Sequence, residues 1–154
     1  VPGVTDRLRE FVAIFQGANV VCEIAENFGE AQWRKLVWNI PFDGLCITEG
    51  GIDTGELLAQ PDGKDRVREL MFEVTKSAAS LGFEIEDQFV EFQIDRTYPM
   101  KDYRPSSMID FVNGYPVEVE AIWGEPLRRA KAAGASTPKL EELDARIREM
   151  LGHR

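Results

Sequence analysis

Apolar residues recur at helical spacing over most of the chain. The clearest run covers residues 64–81, where they occupy the i, i+3, i+4 and i+7 positions of a helix that is buried on one face. Gly82 follows this run, at the place where a residue in the left-handed conformation often ends a helix. The pattern predicts a long helix whose inward face is formed by Val67, Leu70, Met71, Val74, Ala78 and Leu81.

Two helices are predicted before this one from their start and stop signals. Thr5 can cap a short amphipathic helix that ends near Gly17, and Asn27 with Glu30 has the spacing of a capping box for a second helix. Pro41 falls inside the apolar pattern of the second helix. We expect a kink or break there, because proline lacks an amide hydrogen and its ring crowds the preceding turn.

Proline and glycine also punctuate the rest of the chain. Between residues 45 and 58, closely spaced glycines favour short helices and turns. Pro116 can occupy the first turn of a later helix, which should bend at Pro126. Thr137 and Pro138 supply the cap and the first turn of a last helix.

One segment has the character of a β-strand. Residues 19–24 are rich in β-branched side chains and have no matching partner elsewhere in the sequence. A strand needs a neighbour for its backbone hydrogen bonds, so another chain or a missing neighbouring domain would have to provide one. The predicted fold class is all-α, a multi-helix bundle with one short N-terminal strand.

Composition excludes several classes of protein. The 154 residues suffice for one domain, and no run of about 18 apolar residues could span a membrane. The net charge of -9 would repel the phosphate backbone of nucleic acids. Two cysteines and a single histidine, His153, provide neither a disulfide framework nor a metal site, which fits a reducing cytoplasm. The first residues lack an initiator Met and the features of a signal peptide, so we expect the chain to be part of something longer.

Polar residues on the second helix form the first candidate site. Lys35 and Asn39 are four residues apart and therefore lie on one helical face, close in sequence to Trp33 and Trp38. They are either a solvated pair on the outer face or two groups that point at one ligand. Burial decides between these interpretations, because a lysine removed from water beside tryptophans could act as a general acid near neutral pH.

Two further motifs have both a structural and a functional interpretation. Ser107 and Asp110 have the spacing of a capping box, yet a serine hydroxyl and the free amides of a first helical turn could also hold a carboxylate. Glu118 precedes Ile122 by four residues and could share its inward face. A glutamate in a first helical turn, however, usually just complements the helix dipole.

Taken together, these motifs resemble the C-terminal domain of ketopantoate reductase, also called 2-dehydropantoate 2-reductase. The matching residues are Trp33-Arg34-Lys35-Leu36 with Asn39, Ser106-Ser107-Met108 with Asp110, Glu118 with Gly124, and Ala133-Gly134 with Pro138. The resemblance implies a helical bundle like the C-terminal domain of 6-phosphogluconate dehydrogenase. It also implies that residues 1–26 are the end of a nucleotide-binding Rossmann domain, which would include the strand, and that residues 27–154 form the substrate-binding and catalytic domain.

The resemblance further implies a reaction. It is the NADPH-dependent reduction of the 2-keto acid ketopantoate to pantoate, in the pathway to pantothenate and coenzyme A, by an enzyme that could be a homodimer. The chain has no G-x-G-x-x-G loop after a strand, so the missing domain would bind most of the cofactor. Two other functions stay open: a non-catalytic helical module for dimerisation or ligand binding, and a sister 2-hydroxy-acid dehydrogenase with another substrate.

Residue roles follow from the same resemblance. Lys35 would be the general acid, and Glu118 would orient it. Asn39 would bind the oxygen atoms of the substrate, and Ser107 would bind its carboxylate. Asp43 stands at a substrate-binding position where the family commonly has an asparagine. Its carboxylate would repel an anionic substrate and favour a protonated lysine, unless the preceding proline turns it away from the pocket.

Overall fold

The computed structural model describes residues 3–152. Val1, Pro2, His153 and Arg154 lie outside these residues, and with them the expectations that rest on the first residues and on the histidine. The described residues form eight α-helices, which are α1 (Asp6–Gly17), α2 (Phe28–Thr48), α3 (Thr54–Ala59), α4 (Gly63–Ser80), α5 (Asp87–Thr97), α6 (Ser106–Asn113), α7 (Glu125–Ala132) and α8 (Pro138–Gly152). A 3₁₀ turn (Tyr98–Met100) follows α5, and a π-helical turn (Glu120–Gly124) precedes α7.

Helix α2 lies at the centre of the fold and packs against α4, α6 and α8. From Ile40 to Thr48 every residue of α2 is buried, whereas its first half keeps a polar face. The core is therefore built around the second half of this helix. Its largest fully buried side chains are Trp123, Phe42, Ile40, Ile47, Leu57 and Met71.

Pro41 does not break α2, because the helix is continuous over 21 residues from Phe28 to Thr48. Of the expected kink or break, the break is wrong and the kink stays a prediction. A proline inside a helix costs about 3 kcal/mol, mainly through a lost hydrogen bond and crowding of the preceding turn. The enclosure of this half of α2 by the core offsets that cost, and the indole Nε1 of Trp123 donates to the carbonyl oxygen of Ile40 at 3.1 Å.

The N-terminal segment has its predicted helix but not its predicted strand. Thr5 caps α1, and its hydroxyl oxygen accepts a hydrogen bond from the amide of Leu8 at 3.3 Å. No residue of α1 is buried. Residues 19–24 form no strand, since no other part of the described chain offers a backbone edge to pair with.

One predicted cap is wrong, and another is confirmed in position but not in its hydrogen bond. Helix α6 begins at Ser106 with Pro105 in the cap position, so Ser107 lies inside the first turn and is not the cap. Helix α8 begins at Pro138 as predicted, with Thr137 in the cap position, but the Thr137 hydroxyl donates to Glu141 at 3.0 Å and forms no hydrogen bond with an amide of α8. The free amides of α8 are instead bound by Glu73 of α4, with Lys139 N at 3.1 Å from Oε2 and Leu140 N at 2.7 Å from Oε1.

The segment before α7 differs from the predicted helix. Pro116 is not in its first turn, because the helical conformation begins at Val119. The π-helical turn then leads directly into α7, where Pro126 stands within the first turn. A proline lacks an amide and crowds the turn before it, and a wider π turn accommodates both effects. The bend expected at Pro126 stays a prediction, and the observed feature is the π-helical turn that precedes it.

Candidate active site

Helix α2 presents three polar side chains at successive turns of one face, namely Lys35, Asn39 and Asp43. Two open cavities lie side by side along this face. We call the first the Glu118 cavity, which has a volume of about 440 Å³ and lies between α2 and the segment that leads into α7. The second, the Asp43 cavity, has a volume of about 390 Å³ and lies between α2 and α5.

Lys35, Asn39 and Ser106 line both cavities and form the boundary between them. Lys35 is exposed in the described residues, while the neighbouring Trp33 is buried with 5% of its surface exposed. The lysine is therefore not removed from water by the tryptophans. A ligand or a further domain that covers the cleft would have to exclude water from it.

Glu118 lies just before the π-helical turn and lines the cavity named after it, together with Glu125 and Arg129. Its side chain is exposed, although it lines this cavity together with the buried Ile122. The structure therefore brings Lys35 and Glu118, which are 83 residues apart in the chain, to the walls of one cavity.

The two serines of the Ser106-Ser107 motif have different surroundings. Ser106 is exposed to both cavities, whereas Ser107 is 3% exposed and lines neither of them. The amide of Ser107 donates to Oδ1 of Asp43 at 3.1 Å, which ties the first turn of α6 to α2. Sequence reasoning missed Ser106, although the doubled serine was a signal that either residue could face the site.

Asp43 is fully buried and lines its cavity, so the preceding proline does not turn it away from the cleft. Its Oδ2 accepts no hydrogen bond of good geometry from the described residues. Burial raises the pKa of Asp43 to about 6. The Ser107 amide and, after it, the side chains of Ser107 and Asn39 and the charge of Lys35 act in the opposite direction.

Aromatic and basic side chains from α2, α5 and the segment before α6 form one wall of the Asp43 cavity. Trp38 stacks on Phe42 with ring centroids 4.9 Å apart and meets Tyr103 edge-on at 5.9 Å. Its indole Nε1 donates to the hydroxyl of Thr97 at 2.9 Å, which fixes the ring in place. Arg34 and Arg96 of α2 and α5 add positive charge to this wall. The sequence offered no signal for this wall, because its residues on α2 are far in the chain from Arg96, Thr97 and Tyr103.

The site contains the groups for acid–base and hydrogen-bond chemistry. Among the described residues, no group of three or more histidine, cysteine, aspartate or glutamate side chains could hold a metal ion. Over residues 3–152, no helix is both long and apolar enough to cross a membrane. An ammonium group, an amide, a hydroxyl and a carboxylate around one cleft suit the binding and protonation of an oxyanion.

Comparison with protein families shows which family has this arrangement of residues. The model of the ketopantoate reductase PanE/ApbA C-terminal domain matches residues 27–150. The chain belongs to this family. The match begins at Asn27, the cap residue of α2, so it includes Lys35, Asn39, Ser107 and Glu118 and leaves out α1. The helical fold predicted from the sequence is confirmed.

Several ketopantoate reductases are similar to this chain. A 2-dehydropantoate 2-reductase of Nostoc sp. is 40% identical over 138 residues, which cover 90% of this chain and 43% of the relative. The crystal structure of the Geobacter metallireducens enzyme superposes with a TM-score of 0.91 at 35% identity, over 97% of this chain and 50% of that one. The Methylococcus capsulatus enzyme gives a TM-score of 0.91 at 32% identity, over 98% and 48%.

The fold extends beyond ketopantoate reductases. D-mandelate dehydrogenase in complex with NADH shares it with a TM-score of 0.85 at 19% identity. In all of these comparisons the chain spans about half the length of its relatives or less.

Proposed function

We propose that the complete protein containing this chain is an NADPH-dependent reductase of 2-keto acids, and that it converts ketopantoate to pantoate. The observation that carries this proposal is the cleft in which Lys35, Asn39, Ser106 and Glu118 meet. The relatives named 2-dehydropantoate 2-reductase support the choice of substrate.

Lys35 is the proton donor in this proposal. When bound, NADPH supplies a hydride to the carbonyl carbon of the substrate, and the carbonyl oxygen needs a proton to become a hydroxyl. The Lys35 ammonium group donates that proton and is restored from solvent. A positioned general acid of this kind contributes about 10² to 10⁴ in rate. Asn39, one helical turn away, donates from its side-chain amide to the substrate oxygens and fixes their position.

Glu118 and the serine pair complete the proposed machinery. The Glu118 carboxylate attracts and orients the ammonium group of Lys35 across their common cavity. The substrate carboxylate is bound at the start of α6, the role expected for Ser107. Ser106 lines both cavities, while Ser107 is buried behind it against Asp43, so we assign the direct contact to Ser106 and a supporting role to Ser107.

Residues 1–26 are proposed to be the end of the nucleotide-binding domain that holds the cofactor. Helix α1 supports this, because Leu8, Phe11, Ile14 and Phe15 are all exposed on it. An apolar helix face of this kind normally packs against another element. The chain has no glycine-rich phosphate loop of its own, so the pyrophosphate would be bound by that domain.

A cytoplasmic homodimer is the proposed form of the enzyme. Cys22 and Cys46 are both free thiols, as is usual in a reducing compartment. A Staphylococcus aureus ketopantoate reductase with this fold is described as dimeric, and it superposes with a TM-score of 0.82 at 24% identity.

The test is a steady-state assay of the complete protein with NADPH and a panel of 2-keto acids. We expect NADPH oxidation that depends on ketopantoate, with a lower kcat/KM for the other members of the panel. Oxidation with a different keto acid only would identify a sister 2-hydroxy-acid dehydrogenase. No oxidation with any of them would leave a non-catalytic module and disprove the proposal.

A further inference from the structure

Asp43 is a buried acid in a cavity whose other charged groups, among the described residues, are all cationic. None of its surface is exposed, and its Oδ2 lacks a hydrogen bond of good geometry from the described residues. Arg34, Lys35 and Arg96 line the same cavity. Arg34 is already paired with Glu30 and Glu86. In the described part of the chain, Lys35 and Arg96 are therefore the cations of this cavity that are available to a ligand. A ligand carboxylate attracted by them comes close to the Asp43 carboxylate, which is buried and therefore poorly screened by water.

We propose that the binding of an anionic substrate in this cleft is coupled to the uptake of a proton by Asp43, so that the neutral acid is the form that accepts the substrate. This inference rests on the proposed function, which supplies the 2-keto acid. Protonation leaves the local geometry intact, because Oδ1 still accepts the Ser107 amide. The proton can reside on Oδ2, the oxygen that accepts no hydrogen bond of good geometry from the described residues.

The size of the coupling follows from Coulomb's law. Two negative charges about 7 Å apart, at an effective dielectric constant of about 20, weaken binding by roughly 50-fold. Burial raises the pKa of Asp43 to about 6 in the free chain, and a bound anion raises it further. Binding is therefore tight below this pH and weakens as the pH rises above it. Proton uptake is largest in the interval just above pH 6.

Other charged or titratable groups line the same cavity or interact electrostatically with Asp43. A test must distinguish proton uptake by these groups from proton uptake by Asp43. They come from α2, from α5 and from the segment before α6, and they are Arg34, Lys35, Cys46, Arg96 and Tyr103. The substitution Asp43→Asn leaves all of them in place. It also keeps a side-chain oxygen that can accept the Ser107 amide, so it removes the titrating carboxyl alone.

The experiment is isothermal titration calorimetry on the complete protein with NADP⁺ and ketopantoate, a pair that cannot react. Repeating it in two buffers of different ionisation enthalpy measures the protons taken up. Just above pH 6 the wild type should take up roughly 0.5 to 0.8 proton per anion, the range that a 10- to 100-fold coupling gives, and Asp43→Asn should take up none. At about pH 8 the variant should bind the anion roughly 10- to 100-fold more tightly than the wild type.

Asp95→Asn is the matched control, because it removes an exposed carboxylate from α5 and should behave like the wild type. Equal proton uptake by the wild type and Asp43→Asn, or no uptake by the wild type, overturns the inference. If Asp43→Asn does not fold, the wild type decides alone, since its Kd must rise between about pH 6 and 8 and a constant Kd overturns the inference.

Failure of the proposed function gives a different result. In that case the complete protein neither binds nor reduces a 2-keto acid, and the inference about Asp43 fails together with the proposed function. An enzyme that reduces ketopantoate without the predicted proton uptake disproves this inference only.

Discussion

The polar residues on one face of α2 differ in burial in a regular order. Lys35 is exposed, Asn39 is half-buried and Asp43 is buried, because the helix enters the core between its first and second halves. A substitution at position 35 therefore removes chemistry with little change in packing. A substitution at position 43 changes the charge inside the core itself, so its effects on stability and on binding have to be measured separately.

Lys35→Ala in the complete protein should lower kcat by about 10² to 10⁴, because it removes the proposed proton donor. The thermal unfolding temperature should hardly change, since the side chain is exposed and no described residue forms an ion pair with it. Steady-state kinetics and thermal denaturation measure the two effects. Lys76→Ala, an exposed lysine on α4, is the control for general loss of charge. Parallel losses of activity and stability in Lys35→Ala would show that the lysine is structural.

At the scale of the helices, local sequence predicted the elements well and some of their caps badly. Thr5 and Asn27 cap α1 and α2 as their spacing indicates. The first turns of α6 and α8 instead donate amides to carboxylates of other helices, Asp43 and Glu73. These capping carboxylates are 64 and 67 residues away in the chain from the amides that they accept. The local sequence pattern therefore cannot predict them, and only the tertiary structure shows them.

Glu73→Ala should lower the free energy of unfolding by about 2–3 kcal/mol, because two amides of α8 lose the carboxylate that binds them. Urea denaturation measures the change. Glu69→Ala is a close control, since Glu69 is one turn earlier on α4 and makes an exposed ion pair with Lys139. Its effect should be small. Similar decreases in the free energy of unfolding in both variants would mean that the hydrogen bonds from Glu73 to the start of α8 do not stabilise the fold more than an exposed ion pair does.

At the scale of the whole molecule, the sequence could predict a helical bundle and most of the groups in the cleft. It could not predict that the cleft has two cavities divided by Lys35, Asn39 and Ser106. That division depends on how α5, α6 and the π-helical turn lie against α2. The absence of a strand in the described residues has a similar origin, because residues 19–24 have the composition of a strand but no partner in this chain.

The buried carboxyl of Asp43 should make the stability of the whole fold depend on pH. Its pKa is about 6 in the folded chain against an ordinary 3.8, so the folded state binds more protons and stability falls as the pH rises from about 4 to 6. Above that range the ionised carboxyl costs about 2–3 kcal/mol, which Asp43→Asn should recover. Urea denaturation of this chain at about pH 4.5 and pH 7.5 measures the difference between variant and wild type. The variant should gain stability mainly at the higher pH, whereas an equal gain at both would show that Asp43 is already neutral or that packing, not charge, dominates at this position.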